Sequence, residues 1–209
     1  DADIWGFSIP RMLGIDHPPV VIEQSIVPPV AHGVKAMSMD YFVADDQAVI
    51  WRGPMLHKAI EQFLKDVWWD EPDILLVDMP PGTGDAQLTL AQQTPLSGAV
   101  IVSTPQDLAL IDARKGLNMF RKVNVPVIGI VENMSYFVCG KCGERHEIFG
   151  HGGARDEAER LGVPFLGEVP LDMDVRARSD SGEPITATLP DSQHAAIYRD
   201  FARQVWAAI

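Results

Sequence analysis

Leu75-Leu76-Val77-Asp78-Met79-Pro80-Pro81-Gly82-Thr83-Gly84-Asp85 is the stretch whose reading decides the fold. Together with Asp73 and Ile74 it begins as a short unbroken apolar run bounded by acids, the pattern of a central strand over residues 73–78 buried on both faces. A strand ending on Asp78 and followed by a Pro/Gly-rich turn places a carboxylate at the carboxyl edge of the sheet, where open α/β proteins bind ligands. An acid at that edge can hold Mg2+, usually through water, while glycine amides close on a terminal phosphate. A Cβ at Gly82 or Gly84 would obstruct that approach. A lone strand-terminal Asp serves equally well as a loop cap; the full Asp-Met-Pro-Pro-Gly-Thr-Gly-Asp string is far more specific.

Outward from this stretch, buried-strand patterns alternate with amphipathic helices, the mark of a mostly parallel central sheet covered by helices on both faces, an α/β fold. Upstream, Met55, Leu56, Ala59, Ile60, Phe63, Leu64, Val67 and Trp68 recur at helical spacing and predict a helix over residues 54–68, with Pro54 in its first turn. Downstream, strands are expected at residues 99–102, 126–131 and 164–169. Helices are expected at 107–123, 154–161 and 191–208, the last burying Ile197, Phe201 and Val205. Residues 18–49, with short Val/Ile runs broken by Pro28-Pro29 and Gly33, read as a hairpin-like excursion. No repeat or linker interrupts the chain, and a single domain over residues 1–209 is the economical expectation.

Seventeen Lys+Arg against 29 Asp+Glu give a net charge of −12, which argues against non-specific binding to nucleic acid or anionic membrane. No apolar run approaches the length of a membrane span. Asp1-Ala2-Asp3-Ile4 has neither a basic start nor an apolar stretch, so no signal peptide is expected. Cys139 and Cys142 stand too close to staple a fold, which favours a reducing compartment, the cytoplasm.

Two further groups carry chemistry. Asp1 and Asp3, two residues apart, project to one side of an extended segment. One of them could order Mg2+ or a water for in-line attack; a solvated acid pair is the plainer explanation. Cys139-Gly140-Lys141-Cys142-Gly143 brings two thiolates close enough for one metal centre, half of a four-ligand site that a second copy across a twofold axis would complete. A zinc site with His146, a thiol–disulfide pair and two unligated cysteines are the alternatives, and the local residues do not separate iron–sulfur from zinc. His151, amid Gly150, Gly152 and Gly153, belongs either to a loop near that centre or to an ordinary turn. His17, His32, His57 and His194 show no partner pattern.

Taken together, Asp1-Ala2-Asp3-Ile4-Trp5-Gly6-Phe7-Ser8-Ile9-Pro10, the Asp78–Asp85 string, Gly129-Ile130-Val131-Glu132-Asn133-Met134, Ile148-Phe149-Gly150-His151-Gly152-Gly153-Ala154-Arg155 and Gly167-Glu168-Val169-Pro170-Leu171-Asp172 occur in order. In this the chain resembles the Mrp/ApbC family of P-loop ATPases, relatives of MinD and ParA. The resemblance implies an ATP-dependent carrier that binds a [4Fe–4S] cluster through Cys139 and Cys142 at a homodimer interface and passes it to apoproteins. It further implies that Asp3 orients the attacking water, that Asp78, Gly82 and Gly84 surround Mg2+ and the γ-phosphate, and that Asn133 reads the adenine edge beside Pro170 and Leu171. Asn133 taken alone is just as readily a polar residue ending a strand.

The G-x-x-x-x-G-K-[ST] loop that such an ATPase needs is found nowhere in the 209 residues. The expectation is therefore a truncated sequence, inactive by itself, with an exposed apolar strand where its missing neighbour would pair. A MinD/ParA-like positioning ATPase and a zinc-stabilised binding module without catalysis are the rival functions.

Overall fold

The computed structural model describes residues 1–3, 6–42, 53–82 and 84–209, with Phe42, residues 53–56, Asp85 and Ala86 described by backbone alone. Ile4, Trp5, Thr83 and the end of the predicted excursion thus lie outside the described residues, as do the side chains of Met55 and Leu56. The rest falls into two compact units, Asp1–Thr94 with Ala177–Ala187, and Pro95–Arg176 with Thr188–Ile209.

The first unit begins with a single helical turn, α1 (Ile9–Met12), followed by two small antiparallel hairpins. These are β1 (Val20–Ile22) with β2 (Ser25–Val27), and β3 (Val30–Ala31) with β4 (Val34–Lys35), the excursion expected from the broken Val/Ile runs. Two helices follow, α2 (Gly53–Lys65) and α3 (Asp85–Gln93). Ala59 and Ile60 bury one face of α2, while Glu61 and Lys65 pair on its outer side at 2.6 Å.

Helix α2 stops at Lys65, short of the predicted end. Val67 is buried in a bridge to Ile26 of β2, and Trp68, 53% exposed, lies under the Lys35 ammonium at 5.2 Å. The apolar period continued past the helix because Val67 has a different partner. A second correction concerns residues 73–78, which do not form a strand. Leu76 is 77% exposed, and no described strand pairs with the segment. An extended backbone becomes a strand only when a neighbour accepts its hydrogen bonds.

The second unit is built on a four-stranded sheet. Its strands are β5 (Ala99–Ser103), β6 (Val127–Val138), β7 (Arg145–His146) and β8 (Phe165–Leu171). β5 and β8 flank β6 in parallel, and β7 folds back antiparallel onto its far end. On one face Ile101 and Ile130 meet Leu110 and Leu117 of α4 (Asp107–Lys122) and Ala154 and Ala158 of α5 (Gly153–Leu161). Asp107 in the first turn of α4 and Arg121 and Lys122 in its last complement the helix dipole. On the other face Val131, Leu166 and Val169 meet Ile197, Tyr198, Phe201 and Val205 of the last helix. Between β8 and that helix the chain forms α6 (Met173–Ser181) and the short α7 (Ile185–Thr188).

The last helix, α8 (Gln193–Ala208), starts at Ser192, whose hydroxyl accepts from Ala195 N at 3.1 Å. Helices on both faces of a mainly parallel sheet are what the alternating patterns imply. The apolar side of α8 is packed on the sheet. Among the described residues no helix is long and apolar enough to cross a membrane.

Candidate nucleotide and sulfur sites

In the first unit the two neighbouring acids play different parts. Asp1 Oδ2 accepts hydrogen bonds from Ser8 N, Ile9 N and Ser38 Oγ at 3.1, 3.2 and 3.0 Å, and its Oδ1 accepts from Asp3 N at 3.3 Å. That carboxylate is committed to pinning the start of α1 and the Ser38 turn. Asp3 instead faces Asp78. Burial pushes the Asp78 carboxyl above its ordinary range, the nearby α-amino group opposes this, and the charge of Asp3 adds to the rise. Ala2 N donates to Asp78 O at 2.8 Å, which holds the two segments side by side.

A Cβ on Gly6 would lie 2.8 Å from Asp3 Oδ2, so a larger residue there would require the carboxylate to shift. Gly82 adopts φ +94° with nothing within 4 Å of where its Cβ would be. An L side chain there would be strained, and the turn presents bare backbone. Gly84 is the N-cap of α3. Behind the turn stands Gln87, 3% exposed, whose Nε2 donates to Pro80 O at 2.7 Å and to Gly82 O at 3.3 Å. Sequence reasoning missed this glutamine; the available signal was an amide side chain one step into the helix that follows a glycine turn.

In the second unit Asn133 is the last residue of β6 before its parallel register with β8 is interrupted, and it pairs with Val169. The register then shifts, Met134 adopts φ +54°, and Asn133 Oδ1 accepts from Met134 N at 3.0 Å. Buried Pro170 and half-buried Leu171 follow Val169 directly. The structure therefore brings Asn133, Pro170 and Leu171 to one end of the sheet, and Asp3, Asp78, Gly82 and Gly84 together in the first unit.

Cys139 and Cys142 are free thiols on the turn that joins β6 to β7, the first half-buried and the second exposed. Cys139 N donates to Glu144 O at 2.9 Å and Gly143 N to Cys139 O at 2.8 Å, which tightens the turn. The backbone amide of Cys142, then that of Lys141, then the Cys142 thiol hold the Cys139 thiol below its ordinary range. Such amides favour a thiolate ligand. His146 does not join them. Its ring stacks on Phe137 with centroids 6.5 Å apart, and Nε2 lies 3.8 Å from Glu144.

Among the described residues the one group of three metal-type side chains with ligand atoms within 4.8 Å of one another is Glu132, His151 and Glu168. Its lone pairs are already in use. Glu132 is 0% exposed and accepts from Ser135 Oγ, Gly152 N and Ala154 N at 2.6, 3.0 and 2.8 Å. Glu168 meets Arg155 at 2.9 Å and Arg145 at 3.7 Å. Two guanidinium groups beside it would repel a cation, so this cluster is a polar network that ties the start of α5 to β6.

The remaining histidines have ordinary partners: His17 contacts Asp16 at 3.0 Å, His57 contacts Gln93 at 2.7 Å, and His194 contacts Asp172 at 3.4 Å. His32 lies 3.5 Å from Gly182 O.

Residues 1–206 match the family described as the NUBPL iron-transfer P-loop NTPases, of the ParA group. The chain belongs to that family. Among relatives, the iron–sulfur cluster transfer protein NUBPL of Dictyostelium discoideum is 49% identical over 208 residues, covering 98% of this chain and 64% of its own length. The iron–sulfur cluster carrier protein of Escherichia coli is 50% identical over 211 residues, covering 100% of this chain and 57% of its own length. The chain thus spans about three-fifths of the length of these relatives. Among solved structures, an Archaeoglobus fulgidus nucleotide-binding protein in complex with ADP is 39% identical, with a TM-score of 0.75 over 88% of this chain and 72% of its own. MinD of Pyrococcus furiosus, 21% identical, superposes with a TM-score of 0.70 over 100% of this chain and 84% of its own, a likeness of fold.

Proposed function

We propose that this chain is part of an ATP-dependent carrier that binds a [4Fe–4S] cluster at Cys139 and Cys142, jointly with the same pair on a second copy, and transfers it to apoproteins. The observation that carries this reading is the turn itself. Two free thiols share one turn, Cys142 exposed and half-buried Cys139 held toward thiolate by backbone amides, and among the described residues no third ligand type is gathered with them. Two thiolates leave a tetrahedral centre half filled, and a symmetric partner supplies the other half with no new residue types. An exposed, shared site also suits cargo that must leave. The relatives named as cluster carriers and transfer proteins support the same reading, and free thiols at an exposed turn suit a reducing compartment, the cytoplasm in this account.

On the nucleotide side, adjacent Asp3 and Asp78 fit a divalent cation, because it relieves two like charges, one of them partly desolvated. When bound, Mg2+ neutralises developing phosphate charge. Asp3, beside Gly6, would orient the water. The open backbone at Gly82, braced by Gln87, would approach the terminal phosphate. Asn133 would turn its carboxamide N–H2 toward the base, between Pro170 and Leu171.

The test is anaerobic reconstitution of the full-length protein that contains this chain, followed by transfer to an apo iron–sulfur enzyme, with ATP turnover followed in parallel. Cluster loading and activation of the acceptor support the proposal, with Asp78→Asn losing turnover while keeping the cluster. Zinc in place of iron, or loading without transfer, contradicts it. The 209 residues, which hold no lysine-bearing glycine loop, are expected to turn over ATP negligibly by themselves.

A further inference from the structure

The cysteine turn is anchored at its far side by one side chain. Arg145, the first residue of β7, pairs in register with Val138, next to Cys139. Its guanidinium lies 3.8 Å over the Tyr136 ring, and Nη2 sits 3.2 and 3.3 Å from the two ring nitrogens of His151. The same nitrogen is 3.7 Å from Glu168 Oε2. His151 in turn reaches Glu168 at 3.7 Å and Ser135 Oγ at 3.2 Å, and that hydroxyl donates to buried Glu132.

Both acids at the inner end of this network lie one or two residues before those assigned to the base. Glu132 is followed by Asn133, and Glu168 by Val169, the register partner of Asn133, and then by Pro170. A shift of either strand end on nucleotide binding would move a carboxylate that Arg145 or His151 touches. The network has one discrete way to pass this on, through the planar guanidinium wedged between Tyr136 and His151.

We infer that Arg145 is a positioning residue that fixes the aim of the Cys139–Cys142 turn and ties it, through His151 and Glu168, to the base-binding ends of β6 and β8. Nucleotide at Asn133 and Leu171 then changes how the thiols are presented. This rests on the roles given above to the cysteines and to Asn133. A half-exposed arginine contributes little to stability by its ion pairs, so its effect falls on geometry and on coupling between sites.

The experiment measures alkylation rates of Cys139 and Cys142 by iodoacetamide in cluster-free full-length protein, with and without a non-hydrolysable ATP analogue whose binding is followed separately. In the wild type, nucleotide changes the rate about fivefold or more, the low end of ordinary allosteric coupling. Arg145→Met and Glu168→Gln each reduce that change below about twofold, and the double variant goes no further, as members of one pathway do. Arg145→Lys, which keeps the charge but not the planar wedge, stays close to Arg145→Met. All variants keep the wild-type unfolding midpoint. Variants that retain the full nucleotide effect, or a wild type that binds the analogue without any change in thiol rate, overturn the inference. A wild type that binds no analogue overturns it together with the base-site reading. Failure of the carrier reading is seen elsewhere, as absence of cluster loading in the wild type, and leaves the alkylation result standing.

Discussion

Two polar sites of the second unit lie within one hairpin and its neighbours, and they are built on opposite principles. The Glu132–His151–Glu168 cluster has the composition of a metal site, and every lone pair of Glu132 that the structure accounts for is occupied by a backbone amide or a hydroxyl. The Cys139–Cys142 turn has two ligand groups, yet its backbone amides favour thiolate at half-buried Cys139, and Cys142 is exposed. Ligand count alone would choose the site whose donors are already taken. What distinguishes a place for cargo from a structural knot is whether its donors already have partners.

The comparison can be broken most decisively at the cysteines. Cys139→Ala or Cys142→Ala is expected to abolish bound iron and sulfide after reconstitution while far-ultraviolet circular dichroism stays that of the wild type; retained cluster would place the cargo elsewhere. At the buried cluster the opposite outcome is expected. Glu132→Ala strands Ala154 N and Gly152 N in a largely buried place and should cost about 3 kcal/mol in urea unfolding. Its metal content should not change, and a loss of bound metal in that variant would restore the cluster as a binding site.

Smaller effects sharpen the contrast. Because the Cys139 thiol is held below its ordinary range, alkylation near neutral pH should mark Cys139 ahead of the more exposed Cys142, by several-fold on the order of magnitude that thiolate fraction sets. The preference should fade as pH rises into the ordinary thiol range. Mass spectrometry of singly modified protein reads this directly.

A third acid, Glu157, is buried like Glu132 but paired with arginine: Arg114 meets its two oxygens at 2.8 and 3.1 Å. The Arg114 hydrogen bond, against the opposing effect of burial, lowers the Glu157 carboxyl. Its stabilisation is therefore present above the ordinary carboxylate range and lost as pH falls through the lowered value. Glu157→Gln should cost about 1 kcal/mol at neutral pH, since Arg114 is well exposed, and the gap from wild type should close in acid.

Much of the second unit was legible in the sequence, because β5, α4, α5 and α8 each bury an apolar side that shows at its own period. Helix α3 was not, since Gln87 and Thr89 are among its buried residues and no clean apolar stripe marks it. Residues 73–78 misled for a different reason: an apolar run reports a wish for burial, and only a hydrogen-bonded neighbour makes it a strand. At the sites, the cysteine pair, Asp3, Asp78 and the glycine turn were visible as local strings. The Arg145–His151–Glu168 network was not, because its members are brought together by the β6–β7 and β6–β8 pairings and no local spacing announces them.

The central claim is that two copies of this chain hold one cluster between their cysteine turns. Native mass spectrometry of anaerobically reconstituted protein tests it most directly. The account predicts a dimer carrying one [4Fe–4S] cluster, about four iron atoms per two chains with four cysteine ligands, and a monomer without metal once the cluster is removed by chelation. A metal-bearing monomer, or a dimer with one zinc on each chain, would contradict it.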